Sequence, residues 1–540
     1  MFIPRVKNEA VSGKCKLNLP AKVYCEGDVE ARLYRVLCEF MPYLNAELDS
    51  SSESANITVK IDKNLSDVAE YYEIVSNDGR VTLTATDFRG LVNAAATLAQ
   101  MTSLSGEDMY VLSGEISDYP DKAFRGFMID TGRKYIPLDE FRAQILIVAK
   151  SKMNKIHIHL TDTQGCSFEI KEYDKLPSAH GKKYTKEDLI SIVEYAALFD
   201  IDIIPEVDIP GHAFNIIKPY PEFLCDTDGP NGWAMCISNE KTYEYARTML
   251  AYVAEIFPYE YLHVGTDEVD MRDIVTKNGI QMQDWQRCRR CNEFFGKMGL
   301  ETVTERFYYF VHRVYDIVKS LGKKMMMWND NIDISKSPDL PRDILIHFWR
   351  VAAPMRGPVE GCSMQRFIDE GFEVVNSDYP NTYFVKEYID WERTKVWNLD
   401  RVPADAGEKS NMILGAFGCA WENRAHLKHS IYSAIPAFAD RIWNLAPIDD
   451  EESFNVALSR FVLGPSIDEG FNVFGNYLIA PFMFDNTLSP ISETADREKA
   501  MEFFSSLTCL CASGEFARRA YLDGFDTEKY QSKTSERVLN

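Results

Sequence analysis

Tyr261-Leu-His-Val-Gly-Thr-Asp-Glu-Val269 begins as an apolar strand and ends in two adjacent carboxylates, Asp267 and Glu268. On a regular strand, neighbouring side chains point to opposite faces, so the two acids would diverge. Where the strand ends and the chain turns, both can be presented to one pocket. Carboxylates held close repel, their pKa values separate, and one keeps a proton near neutral pH, as a general acid must. The plainer reading is a strand followed by the acidic N-cap of the next helix, and this fragment alone does not choose between them.

The strand has counterparts on both sides. Apolar runs of strand length recur at 124–129, 155–160, 202–207, 324–327, 344–348, 372–375 and 412–419. Stretches of helical periodicity, such as 138–152 and 186–199, lie between them. With 261–264 they make eight βα units in series, the number that closes a parallel barrel. A doubly wound open sheet is the alternative, but no glycine-rich phosphate loop follows any of the runs, which weakens its nucleotide-binding forms. The expected fold is α/β: a (β/α)8 TIM barrel over 121–445, a small α+β domain before it over 1–120, and a C-terminal helical region over 446–540. In the first region 57–61, 71–75 and 81–84 read as strands and 88–101 as a helix, and Ser117-Asp-Tyr-Pro-Asp121 has the turn chemistry of a boundary.

A net charge of -23 weighs against nucleic acid and anionic membrane surfaces as partners. No run approaches the roughly 20 apolar residues of a membrane helix. The first ten residues lack the apolar core of a signal peptide, so a cytoplasmic location and reduced thiols are expected for the 12 cysteines. Cys288-Arg-Arg-Cys291, with Cys225 and Cys236 upstream, has the spacing of half a tetrahedral zinc site. The chain has no second C-x-x-C pair, so the reading favours no metal and no cofactor.

In an α/β barrel the chemistry sits at the C-terminal ends of the strands. Those ends read Asp130 and Arg133, Thr161-Asp162, Glu206-Val-Asp208, Asp267-Glu268, Trp328-Asn-Asp330, Trp349-Arg350, Asn376-Ser-Asp378 and Trp421-Glu-Asn423. Acids, an arginine and three tryptophans on one rim suit a sugar. Indole faces stack on pyranose C–H faces, charged groups take hydroxyls, and a carboxylic acid protonates the departing glycosidic oxygen. The best acid pair is adjacent in sequence and poorly placed to flank a bond at the ~5–5.5 Å of two-carboxylate retaining enzymes. A nucleophile from the substrate itself, a 2-acetamido group, fits instead.

Six stretches carry a family resemblance: Arg125-Gly-Phe-Met-Ile-Asp-Thr-Gly-Arg133, Lys152-Met-Asn-Lys-Ile-His-Ile-His-Leu-Thr-Asp162, Ile204-Pro-Glu-Val-Asp-Ile-Pro-Gly-His212, His263-Val-Gly-Thr-Asp-Glu-Val269, Met327-Trp328 and Phe348-Trp349. In this order and spacing, over roughly 1–445, the chain resembles glycoside hydrolase family 20, the β-N-acetylhexosaminidases. The resemblance implies an exo-acting, retaining enzyme that releases terminal β-linked GlcNAc, with GalNAc as a second candidate, from an oligosaccharide or glycoconjugate through an oxazolinium intermediate. It implies that Glu268 is the acid/base and that Asp267 holds the acetamido nitrogen and stabilises positive charge. Arg133 would bind ring hydroxyls, and Trp328, Trp349 and Trp421 would box the sugar and its acetamido methyl. Tyr383, with Tyr379 as rival, would hydrogen-bond the acetamido oxygen, and Asp162 and His212 would support the acid.

Three departures from the family pattern stand out. Thr266 replaces the usual glycine, which is acceptable if its φ is negative. Thr163 replaces a second acid. Trp421-Glu422-Asn423 stands where the family often has Trp-x-Glu. Either Asn423 takes that acid's place or Glu422 does after a one-residue shift; a neutral amide there weakens a charge-assisted bond and alters specificity at O4 or O6. Three alternatives follow: a family 20 exo-glycosidase releasing a disaccharide or a 6-substituted GlcNAc, a non-catalytic carbohydrate-binding barrel, and a metal-dependent barrel hydrolase. The last needs clustered His and Asp at strand ends, of which the sequence offers few. A homodimer is compatible with all of them. Arg125 reads as a buried structural ion pair, His157, His159 and His347 as core, Trp391, Trp397 and Trp443 as packing or rim, and Trp233 equally as packing or as a leaving-group contact.

Overall fold

A computed structural model of the chain describes residues 1–450 apart from 27–29, 106–107, 229–231, 270–283, 351–363, 380, 385–396, 398, 400–410 and 422–426, and beyond them 453–454, 457–458 and 461. The expected helical region over 446–540 therefore lies almost wholly outside the described residues, as do Trp391, Glu422 and Asn423.

Residues 8–118 form a mixed eight-stranded sheet. Three of its strands, Ile57–Ile61, Tyr72–Asn77 and Arg80–Ala85, lie where their sequences suggest, and the second alternates buried with more exposed positions along its whole length. The helix Phe88–Met101 lies where periodicity places it, started by Asp87, whose carboxylate accepts the Gly90 N–H at 2.8 Å. Two long strands not expected from sequence, Asn8–Leu17 and Asp108–Asp118, pair antiparallel with a bulge between Val11 and Lys14. The first of them is exposed along nearly its whole length, so it carries no apolar alternation.

The next eight strands, Phe124–Asp130, Lys155–His159, Asp202–Ile209, Tyr261–Gly265, Lys324–Trp328, Leu345–Phe348, Val374–Asn376 and Ile413–Ala420, close a parallel barrel in chain order, the last pairing with the first. This TIM barrel excludes the open doubly wound sheet. Nearly every residue of these strands is buried, because helices cover the outside and side chains fill the inside. Helices Lys186–Leu198 and Val303–Ser320 each start with a full capping box, Thr185 with Asp188 and Thr302 with Glu305. Among the described residues no helix is long and apolar enough to cross a membrane.

The barrel interior is layered. Phe124, Ile204, Tyr261, Met326, Leu345, Val375 and Phe417 plug its N-terminal end. Above them lie Glu206 and three histidines, and above those Met128, Trp328 and Cys419, with Trp349, Tyr383 and Trp421 packed against them. Glu206 stands 3.0 Å from His157 and 3.1 Å from His263, contacts His159, and accepts the Trp328 indole N–H at 2.8 Å. Burial opposes its charge, but His159, His263 and His157 outweigh it and hold the carboxyl well below the usual range.

The sheet and the barrel share buried charges. The Arg125 guanidinium forks onto Glu70, as the ion-pair reading of Arg125 expects. Lys152 lies 2.8 Å from Asp118, both fully buried, and Asp118 also accepts from the Tyr72 hydroxyl at 2.8 Å and the Trp443 indole at 3.0 Å.

Candidate active site

The fourth barrel strand, Tyr261–Gly265, runs into a tight, left-handed stretch. Gly265, Thr266 and Glu268 have φ of 66°, 76° and 52°. This turn presents both Asp267 and Glu268 to one pocket. Gly265 is required there, since a Cβ would sit 2.0 Å from Asp208 Oδ1. Thr266 departs from expectation: its φ is positive, a conformation costly for a β-branched residue, and its buried hydroxyl has no hydrogen-bond partner among the described residues. Each effect costs about 1–3 kcal/mol. Thr266→Gly removes both at about 1 kcal/mol of chain entropy plus some lost methyl packing. It is expected to raise the thermal midpoint by about 2 °C, read by calorimetry; a lowered midpoint would show that methyl packing dominates.

A pocket of about 200 Å³ opens over this turn, lined by Arg133, His212, Asp267, Glu268, Trp328, Trp349, Tyr383 and Trp421. Eight of the ten residues named from the sequence thus meet in one place. Asp162 lies just beneath, 2.6 Å from Arg133, 2.7 Å from His159 and 3.3 Å from His212. Asn423 falls outside the described residues. Of the two rival tyrosines, Tyr383 lines the pocket, while Tyr379 is 39% exposed outside it.

The Glu268 peptide is held from both sides. Its N–H donates to Asp330 Oδ2 at 2.9 Å and its carbonyl accepts the Trp233 indole N–H at 3.0 Å. His212 Nε2 stands 3.4 Å from both Asp267 Oδ2 and Glu268 Oε2. Burial works against charge on His212, but Asp162 and Asp267 outweigh it and raise its pKa well above the ordinary value. The second oxygen of Asp267, Oδ1, is buried without a hydrogen-bond partner among the described residues. Arg133 is fixed by Asp130 at 3.0 Å as well as by Asp162, and its guanidinium lies 5.0 Å from the Trp421 ring centre.

Around the pocket, Trp349 and Tyr383 stack at 6.0 Å and Tyr383 meets Trp421 at 6.0 Å. Trp328 forms the floor, stacked 3.9 Å from His347. Burial pushes the Tyr383 hydroxyl well above its usual pKa, so it stays a donor.

Two residues read on the sequence without a catalytic role also belong to this site: Asp330, one of the strand-end acids, and Trp233, weighed as packing or a leaving-group contact. Asp330 is two positions past Trp328, the last residue of its strand. Burial pushes its carboxyl from 3.8 up to about 7; nearby Arg350 opposes this, and Asp267 and Glu268 reinforce it. Because the folded pKa lies above the unfolded one, the folded chain holds a proton that the unfolded chain has lost. Stability therefore falls as pH rises from about 4 to about 7, by on the order of 4 kcal/mol from this residue. Asp330→Asn is expected to flatten the stability profile across that window, read by denaturant unfolding; parallel profiles would exclude Asp330 as its source.

The expectation that clustered His and Asp ligands are few needs correction. His157, His263 and His347 converge in the barrel, and Asp208, His212 and Asp267 converge at its mouth. The three barrel histidines come from distant strands, which no local spacing reveals. Most of their nitrogens meet protein groups: His347 Nδ1 lies 3.3 Å from His263 Nε2, His347 Nε2 lies 2.6 Å from Ser377 Oγ, and His157 Nε2 and His263 Nδ1 face Glu206; His157 Nδ1 is buried without a hydrogen-bond partner among the described residues.

The family model described as "Glycosyl hydrolase family 20, catalytic domain" matches residues 123–446, and that for "domain 2" of the same family matches 3–119. A β-hexosaminidase of Vibrio furnissii is 29% identical over 325 residues, 55% of this chain; the matched stretch spans about half, 51%, of that protein's own length. The β-hexosaminidase subunit A1 of Dictyostelium discoideum is 26% identical over 83% of this chain and 84% of its own. The X-ray structure of a Flavobacterium johnsoniae chitobiase aligns with a TM-score of 0.72 at 26% identity, covering 88% of this chain and 73% of that one. With three-fifths of its length matched to the catalytic domain, the chain belongs to glycosyl hydrolase family 20.

Proposed function

We propose that the chain is an exo-acting, retaining β-N-acetylhexosaminidase that releases terminal β-linked GlcNAc, with GalNAc as a second substrate, by substrate-assisted catalysis. The observation that carries this reading is the meeting of the adjacent carboxylates Asp267 and Glu268 with Arg133, Tyr383 and three tryptophans in one pocket. A carboxylate lining such a pocket takes an N–H donor from the ligand, and the acetamido nitrogen of the terminal sugar supplies one. The acetamido oxygen, oriented by the Tyr383 hydroxyl, then attacks the anomeric carbon. Asp267 stabilises the positive charge that develops on the oxazolinium ring. Glu268 protonates the leaving oxygen and afterwards takes the proton of the attacking water. Arg133 binds ring hydroxyls, and the tryptophans exclude water and stack on the sugar.

The test compares para-nitrophenyl β-GlcNAc with its β-glucoside, with and without a thiazoline mimic of the intermediate. Cleavage of the first alone, blocked by the mimic, is expected. Equal cleavage of both would overturn participation by the acetamido group. Cleavage of neither would move the substrate toward disaccharide or 6-substituted glycosides.

A further inference from the structure

Four cysteines gather outside the sugar pocket. Cys225 and Cys236 lie on the loop after the third barrel strand; Cys288 and Cys291 flank and enter the helix Arg289–Gly296. All four are buried, and their sulfurs lie within 4.8 Å of one another. The chain has only one C-x-x-C pair along its sequence. The second pair is instead assembled in space, from cysteines with a longer spacing.

We propose that Cys225, Cys236, Cys288 and Cys291 form a structural, tetrahedral zinc site that ties the loop after the third barrel strand to the segment after the fourth. The sulfur spacing is that of a metal thiolate. A Zn–S distance of about 2.3 Å in a tetrahedron puts neighbouring sulfurs about 3.8 Å apart. Cys236 Sγ lies 3.9 Å from Cys288 Sγ and 3.7 Å from Cys291 Sγ. A disulfide would bring two of them to about 2.05 Å, and all four are thiols.

The surroundings suit negatively charged sulfur. The backbone N–H groups of Asp226 and Cys291 point at Cys288 Sγ from 3.3 and 3.4 Å. Ser238 Oγ lies 3.3 Å from Cys236 Sγ and 3.4 Å from Cys291 Sγ. Four sulfurs with no imidazole or carboxylate among them select zinc, or iron in a sulfur site, over harder cations; with four protein ligands the site is closed, as structural zinc sites are.

The site has a mechanical consequence for the pocket. Trp233 lies between Cys225 and Cys236 in the chain, and its indole holds the Glu268 carbonyl and packs 4.7 Å from the His212 ring. The Met235 N–H, beside Cys236, donates to the Pro210 carbonyl at 2.8 Å, and the Met235 carbonyl accepts the Trp285 indole at 2.9 Å. Trp285 stands just before Cys288 on the other limb of the clamp. Fixing the four sulfurs therefore also restrains the loop that carries Trp233, whose indole holds the Glu268 carbonyl.

The test uses the full chain, purified under reducing conditions without chelator. Elemental analysis is expected to find one zinc per chain, released as an organomercurial titrates the thiols. Exchange with Co(II) is expected to give the intense visible and thiolate charge-transfer bands of a tetrahedral tetrathiolate. Cys236→Ser and Cys288→Ser should each lose the stoichiometric zinc, while Cys15→Ser keeps it. Metal removal should lower the thermal midpoint by several degrees. Should the serine variants fail to fold, the cobalt spectrum of the unaltered chain decides. Absence of both stoichiometric metal and a tetrathiolate cobalt spectrum in the reduced chain would overturn the site. Iron in place of zinc, or zinc retained in Cys288→Ser, would overturn the assignment. None of these readouts depends on the sugar chemistry.

Discussion

Glu268→Gln is expected to lower kcat/KM on β-N-acetylhexosaminides with poor leaving groups by about 10²–10⁴-fold, the range that positioned proton transfer supplies. The substitution keeps the size of the side chain and removes only its proton chemistry. The backbone is gripped independently by Asp330 and Trp233, so the turn should survive the change. KM should therefore move little, and the loss should lie in kcat. Aryl glycosides, whose leaving groups need less protonation, should lose less. Steady-state kinetics on a pair of alkyl and nitrophenyl glycosides checks this. Near-normal turnover of the alkyl substrate would remove Glu268 from the acid's role.

The second large effect belongs to Asp267→Asn. The amide can still accept the acetamido N–H through its oxygen, but it no longer opposes the charge of the oxazolinium ring. Loss of one such electrostatic contact costs about 10²–10³-fold in kcat. Affinity for a thiazoline mimic should fall with kcat, because the mimic presents the same ring to the same carboxylate. The substitution has a side effect on the neighbours. Burial first, and then the Asp267 charge, hold Asp208 well above its usual pKa, so the variant's pH profile should shift as Asp208 ionises more readily. Unchanged thiazoline inhibition beside a large loss of kcat would separate Asp267 from the intermediate.

Much of this architecture is legible in the amino-acid sequence. All eight barrel strands can be read there, because a parallel strand covered on both faces is a continuous apolar run. The rim can be read as well, because strand ends are where such runs stop. What stays hidden depends on backbone angle or on distance through space. The positive φ of Thr266 has no sequence signature beyond the glycine beside it. The Asn8–Leu17 strand is exposed, so hydrophobic patterning is silent there. Trp233 reaches Glu268 across a gap of 35 residues, and the cysteines converge from two separate loops. Local periodicity cannot report such meetings.

The charges shared between the sheet and the barrel bear on how this architecture is inherited. Lys152 sits fully buried beneath the first helix of the barrel, and its counterion, Asp118, is supplied by the last strand of the preceding sheet. Arg125 likewise depends on Glu70. A different domain covering the same face without those two acids would leave both cations buried with no counterion, at about 3–5 kcal/mol apiece. The barrel is thus not a cassette that recombination can lift out and graft elsewhere. Its lineage must carry the small sheet along, and a substitution on either side of the junction is answerable to a residue on the other.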